Sequence, residues 1–522
     1  MQKAKKLLGL LLVLCMAVSF VVGCGSNDSA STSSTAAESS TAAESSTAAE
    51  SSTAAESSVA LDPVELKWYV IGNGQPKDMD TVLAKVNEWL QPRINATLKL
   101  TIFSWGDDFE QKMGAKVASG EEFDITFTAN WALNYLQNAP KGAFVDLTPM
   151  LDQYAPKTKA LLGEKVIKGA SIDGKLYAIP TNKEMAHNWG FLINKDLADK
   201  HGIDVTTIKK FEDIEPALKI IKEKEPGVEP FQTVVGESAY RILDFEKLVD
   251  DNVPGAIYGD GRDTKVVNDF DTPEAKQLFE TLHKWYKAGY IRKDADTITD
   301  WSSNRKAGKV FSAVASLKPG KDGEESVSTG VNWVQVDITA PMATTREMTG
   351  AMQAISKTSK NPERALMFLE LFNTEPELCN LINYGIEGTH YTKVSDTKIK
   401  VEQAGLDGYN PGTPWMFGNQ FNTYIYESEK FESATEKWEK FKAYNESAKA
   451  SPILGFTFNA EPVKTKVAAL TGVKKQYMPG LETGKADPAV ALPKFVEKLK
   501  AAGLDDVLAE MQKQVDEFVA KK

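Results

Sequence analysis

At 522 residues, with 42% hydrophobic and 25% charged residues, the chain is globular in composition and too long for one ordinary core, which excludes a small disulfide scaffold and a wholly disordered chain. Its formal net charge is −11, and residues 1–23 hold three lysines and no acid, so their removal would leave a still more acidic body. Such a balance argues against nucleic acid or another polyanion as ligand.

Lys3, Lys5 and Lys6 precede an apolar run from Leu7 to about Phe20, the charged and hydrophobic regions of a secretory signal, too short to span a bilayer. Val21-Val22-Gly23-Cys24 follows and resembles a bacterial lipobox, with Val21 where that pattern usually has Leu. Cleavage there makes Cys24 a lipidated N-terminus that anchors the protein by buried acyl chains; the alternative is an ordinary signal with a chance cysteine. The remaining chain keeps Cys24 and Cys379 alone, so no intramolecular disulfide framework is available, and Cys379 reads as a packing residue. From Gly25 to Ser58 the chain is almost entirely Ser, Thr, Ala and Glu, with TAAESS repeated from Thr35, Thr41, Thr47 and Thr53. Without an apolar face this is a tether, on the order of 110 Å long if extended and nearer 30 Å as a random coil.

From residue 61 the pattern becomes strand, helix, strand over 64–71, 79–90 and 96–102, then a helix over 107–118 and a strand over 123–127, which opens an α/β layer. Ligands bind at strand C-termini in such sheets, so the loops Gly72–Gln75 and Thr128–Trp131 are expected at a cleft. Asp173-Gly174 signals a turn and Lys175–Ile179 a strand. The polar run Thr181–Glu184 and a second strand over 189–193 then form a hinge between two lobes. Helices over 211–224 and 272–288 alternate with apolar runs over 310–315 and 331–338 as a second α/β unit. A second crossing falls at Thr339–Met342, followed by a strand over 352–355 and a helix over 361–372. The rest is helical: 431–449, 463–476, 489–502 and 504–519. The division expected is 1–23 signal, 24–60 tether, 61–180 first lobe, 181–340 second lobe, 341–390 return to the first lobe, and 391–522 second lobe with a helical C-terminal region.

Catalytic and metal patterns fail. No H-E-x-x-H or G-x-S-x-G occurs, Gly480–Lys485 lacks P-loop spacing, and four dispersed histidines offer no metal spacing. No catalytic residue, metal or cofactor is expected. Acidic residues are numerous enough that a glycosidase pair stays open on counting alone.

Phe123-Asp124-Ile125-Thr126, Gly142-Ala143-Phe144-Val145-Asp146-Leu147 and Gly174-Lys175-Leu176-Tyr177-Ala178-Ile179-Pro180 resemble the first lobe of family 1 extracellular solute-binding proteins of ABC importers. Asn383-Tyr384-Gly385-Ile386-Glu387-Gly388-Thr389-His390-Tyr391 and Ser451-Pro452-Ile453-Leu454-Gly455-Phe456 resemble LipO-type lipoproteins with a C-terminal DUF3502 region. The resemblance implies a two-lobed periplasmic-binding-protein-like fold of type II that closes on a ligand by hinge motion. It also implies a monomer, lipid-anchored on the outer face of a Gram-positive cell membrane, that delivers a carbohydrate, an oligosaccharide, to ABC permease subunits. A secreted carbohydrate-active hydrolase and a surface sensor are the rival functions.

A sugar cleft needs aromatic platforms for C–H faces and amides or carboxylates for hydroxyls. Trp131, beside Asn130 after a strand end, is the first expectation, its alternative being a packing residue at a helix start. Trp415 and Asn419 lie in a Pro/Gly-rich loop, and Trp105 and Trp301 at element boundaries. Tyr384, Glu387 and His390 occupy a glycine-broken turn, and Glu237 follows a short apolar run; architectural roles are the stronger alternative for these four. Glu184, Trp189 and Tyr240 are weaker candidates, and Trp68 and Trp89 read as core.

Overall fold

The computed structural model describes residues 61–105, 107–298, 301–412 and 414–521. The signal, Cys24 and the tether lie outside them. Ala60–Lys522 forms one compact unit.

Val64–Gly72 buries alternate side chains from Leu66 onward, the period of a strand in a sheet. It pairs in parallel with Ala96–Ser104 on one side and Ile125–Thr128 on the other. Met352–Ile355 then pairs antiparallel to Ile125–Thr128, and Ala178–Pro180 closes the edge. An edge is where Pro180 can sit without costing a ladder bond in the sheet interior. Helix Met79–Ile94 covers this sheet through Val82, Val86, Trp89 and Leu90 and stops at Asn95 in the left-handed region (φ 43°). Trp68 is fully buried, edge-on to Phe368 and Phe372, and its Nε1 donates to Gln353 Oε1 at 2.8 Å.

The second lobe is a four-stranded sheet in the order Trp333–Asp337, Asn188–Asn194, Val310–Leu317, Glu229–Gln232. Asn188–Asn194 is antiparallel to both neighbours. Its core is aromatic: Trp285 stacks on Phe211 at 4.9 Å and meets Phe231 edge-on at 5.0 Å.

The chain passes between lobes three times, and the passages touch. His187 bridges Met342, and Met342–Ala343 runs parallel to Lys449–Ala450. The first-lobe core also takes Tyr409, Met416 and Phe417, so its packing continues well past residue 390 rather than handing over there. Beyond the third passage the helices Lys464–Glu482, Pro488–Ala501 and Leu504–Ala520 pack on the second lobe around Phe270, Phe279 and Phe495.

Two densely patterned segments prove to be joints. In Ser451–Phe456, Leu454 enters the first core while Ile453 and Phe456 enter that of the C-terminal helices. Gly455 has φ +90°, and a Cβ there would come within 2.9 Å of the Lys168 carbonyl oxygen. Gly455→Ala is expected to lower unfolding stability by about 1–2 kcal/mol in urea titration. Gly472→Ala, a helical position with nothing within 4 Å of the new Cβ, is the control and should leave stability equal or raised by about 0.5–1 kcal/mol. In Asn383–Tyr391, Tyr384 and His390 are buried; His390 Nδ1 accepts the Ile386 N–H at 2.9 Å, and Nε2 lies 3.3 Å from Asp78 Oδ2.

Candidate functional site

A cavity of 2230 Å³ opens between the lobes. The first lobe contributes Asn130, Trp131 and the C-terminal end of helix Pro156–Ala170; the second contributes Val235–Asp251 in part; His187, Met342 and Thr344–Glu347 come from the passages.

Trp131 stands on the loop that leaves strand Ile125–Thr128, where the strand-end rule places a ligand site. That loop is held against the segment Arg346–Gly350. The Asn130 N–H donates to Thr349 O at 2.9 Å, Asn130 Nδ2 donates to Arg346 O and Thr349 Oγ1 at 2.6 and 3.0 Å, and Trp131 Nε1 donates to Gly350 O at 2.8 Å. With its N–H satisfied and 46% of its surface exposed, Trp131 offers a fixed apolar face. Trp105 stacks on it at 6.3 Å and 22°, and Trp415 meets it at 6.2 Å. Trp105, Trp131 and Trp415, far apart in sequence, thus form one aromatic array, and Trp105 is itself 42% exposed.

The loop Gly72–Gln75 serves this array rather than the cavity lining. Asn73 Oδ1 accepts the Trp105 Nε1–H at 2.8 Å, and Gly72 lies so close to the next loop that a Cβ would sit 2.4 Å from Pro411 O.

Asn130 and Trp131 line the cavity; the other expected contacts lie elsewhere among the described residues. Asn419 is buried against the first passage, where its Oδ1 accepts from Asn182 Nδ2 at 2.9 Å and its Nδ2 donates to Asn373 O. Tyr384 packs with Tyr391 and Ile399, and Glu387 pairs with Lys393 at 3.1 Å. His390 is in the joint described above. Trp301 packs on the second-lobe core under Arg305, 4.5 Å from its ring. Glu237 pairs with Arg241 at 3.5 Å between two cavity-lining neighbours, Gly236 and Ser238. Glu184 is half-buried, paired with Lys183 at 2.9 Å and with Lys318 at 3.7 Å. Of the weaker candidates, Trp189 and Tyr240 do line the cavity.

A charged trio on the cavity wall escapes sequence reasoning. His187 Nε2 lies 2.8 Å from Asp244 Oδ1, and Nδ1 lies 2.9 Å from Glu347 Oε1 as an ion-pair contact outside hydrogen-bond alignment. Burial would push the imidazole down, but the Glu347 and Asp244 carboxylates outweigh it and hold the pKa up at about 10. Burial would likewise raise Glu347, whereas His187 and the capping contacts of Thr344 hold it down at about 2. Asp244 adopts φ +52° at the end of the turn Ala239–Leu243. The trio joins the first passage, the second lobe and the second passage, with partners 57 and 160 positions apart along the chain, beyond any motif spacing. Glu246 is half-buried beside them, its carboxyl pushed up to about 7 by loss of solvent, and it accepts the Ser451 hydroxyl at 2.6 Å.

Residues 93–386 match the model of the bacterial extracellular solute-binding protein family, and residues 452–520 match a domain of unknown function (DUF3502). A carbohydrate ABC transporter substrate-binding protein of Streptococcus pneumoniae is 36% identical over 467 residues, 88% of this chain and 92% of that one. The crystal structure of the N-glycan transport solute binding protein NgtS of Streptococcus pneumoniae is 34% identical, covers 88% of this chain and 100% of its own, and superposes with a TM-score of 0.79. The TM-score is 0.71 to NgtS in complex with Man1GlcNAc and 0.68 to its complex with Man5GlcNAc. A two-lobed α/β solute-binding fold is therefore matched by sequence and by structure, and the chain belongs to the bacterial extracellular solute-binding proteins.

Proposed function

We propose that the protein captures an oligosaccharide in the interlobe cleft and delivers it, unaltered, to the permease of an ABC importer, held at the outer face of the membrane by a lipid on Cys24. The observation that carries this reading is Trp131, a ring fixed by its own N–H and exposed over a cavity of 2230 Å³. Sugars present flat C–H faces that such a ring can stack. Asn130 and Trp131 are the first ligand contacts proposed, with Trp105 and Trp415 extending the platform. The relatives support the same class: one is named a carbohydrate transporter's binding protein, and NgtS was crystallised with two glycans. On this reading the lobes close about a hinge, and the closed form is the one the ligand selects.

A hydrolase reading has one group in its favour, the near-neutral Glu246. Its neighbours Asp244 and Glu347 are committed to His187, which leaves no ready second carboxylate among the trio. The deciding experiment is a thermal-shift screen against Man1GlcNAc, Man5GlcNAc, other defined oligosaccharides, monosaccharides and short peptides. A ligand at a hundred times its dissociation constant adds about 2.7 kcal/mol, a shift of a few degrees. Stabilisation by a glycan recovered intact supports the reading. Cleavage of the glycan replaces it with the hydrolase, and stabilisation by peptides alone rejects the sugar.

A further inference from the structure

The last helix, Leu504–Ala520, spends one face on the core: Val507, Met511 and Val515 are fully buried at helical spacing. Adjacent positions Lys513, Gln514, Glu517 and Phe518 border the interlobe cavity, as does the loop Phe456–Pro462. That loop is built, not loose. Gln514 Nε2 donates to Asn459 O at 3.0 Å while its Oε1 accepts the Asn459 N–H at 2.9 Å, a two-pronged clamp of side chain on backbone. Phe518 meets Phe456 edge-on at 5.6 Å. At its root the loop is tied to the second passage, where the Gly455 N–H donates to Thr345 Oγ1 at 2.8 Å. The helices behind it are fastened to the second lobe: Thr233 Oγ1 donates to Glu482 O at 3.0 Å, and Gln512 Oε1 accepts the Val266 N–H at 2.8 Å.

The cavity is more than twice the roughly 300–1,000 Å³ that encloses a drug-sized ligand. A disaccharide stacked at Trp131 would leave much of it unfilled. The C-terminal surface that borders it carries the chemistry of a sugar site: the aromatic ring of Phe458, the amide of Asn459, and lysine and glutamate one helical turn apart at Lys513 and Glu517.

We propose that the domain of unknown function is the third wall of the binding cleft and sets the size of the captured glycan, with Phe458, Lys513 and Glu517 contacting sugar residues beyond those stacked at Trp131. Being fastened to the second lobe, the wall travels with that lobe when the cleft closes. The inference rests on the reading of the cleft as an oligosaccharide site, and it assigns to the C-terminal helices a share in selecting long or branched ligands over short ones.

The test is isothermal titration of the full chain with Man1GlcNAc and Man5GlcNAc, two probes built from the same two sugars that differ in size. Lys513→Ala/Glu517→Ala alters two exposed side chains and should leave the melting temperature unchanged. It is expected to bind Man1GlcNAc as the parent chain does and to lose about ten-fold on Man5GlcNAc, and Phe458→Ala should lose at least as much on the larger glycan. Trp131→Ala should lose affinity for both. Unchanged binding of Man5GlcNAc by both C-terminal variants, or an equal loss on both glycans, overturns the third wall while leaving the oligosaccharide reading intact. A parent chain that binds neither glycan overturns the reading of the cleft and the third wall together.

Discussion

Trp131→Ala is expected to weaken glycan binding by ten- to a hundred-fold with little change in melting temperature. The ring is 46% exposed and its N–H is satisfied by Gly350 O, so its face is available to a sugar without first giving up a partner. Loss of stacking worth about 1.4–2.8 kcal/mol gives that range. Its neighbours Asn130 and Ala132 are held by the backbone bonds of the loop, which the substitution keeps. Titration calorimetry beside a melting curve separates the outcomes. Parent-like affinity with a large fall in melting temperature would make Trp131 a support for Phe127, 5.6 Å away, and remove it from the site. Trp105→Ala, which takes away the outer ring of the array, should cost less than Trp131→Ala on the same ligand.

The largest effect on stability is expected at His187. Its removal leaves Asp244 and Glu347 facing one another in a half-buried site with no cation between them; breaking a fully buried pair costs about 3–5 kcal/mol, and this pair on the cavity wall should lose about 2–3 kcal/mol. Urea unfolding of His187→Ala at pH 6 should show that loss. The pH dependence has a definite sign. The folded imidazole titrates at about 10, above its ordinary 6.5, so its stabilisation is complete below pH 6.5 and is lost as pH rises through 10. Glu347 titrates at about 2, below its ordinary 4.5, so the same pairing fails from the other side as pH falls from 4.5 through 2. The gap in stability between the parent chain and the more conservative His187→Gln should therefore shrink between pH 6 and 9.5. An equal gap at both values would mean that the ring acts by shape and not by charge.

Much of the first lobe was legible because half-buried strands announce themselves. The expected strand 64–71 is Val64–Gly72, and 96–102 is Ala96–Ser104. Amphipathic helices were equally plain, with 272–288 observed as Pro273–Lys287 behind a Thr272 cap. Helix Pro156–Ala170 was missed, and the reason is visible: Gly163 interrupts it at φ 71°, ψ 169°, which cuts its apolar period into two short pieces. The pairing of Met342–Ala343 with Lys449–Ala450 involves two residues a side and has no period to read. Trp131 could be placed in the cavity lining because it stands three residues past the end of strand Ile125–Thr128. The trio at His187 could not, since Asp244 owes its position to a left-handed turn residue and Glu347 to a capping box in a four-residue helix. Nothing in their order along the chain brings them together.

The three passages also decide when this protein can fold. The first-lobe core begins at Leu66 and is not complete without Leu454, and the separate core that holds Phe270 and Phe279 needs Met511 and Val515. Long-range closure of this kind is slow, because loop entropy must be met before the contacts that reward it exist. The first lobe is therefore finished only once residues beyond 450 are in place, whereas the second-lobe core around Trp285 closes on a nearer stretch of chain, between Trp189 and Ile338.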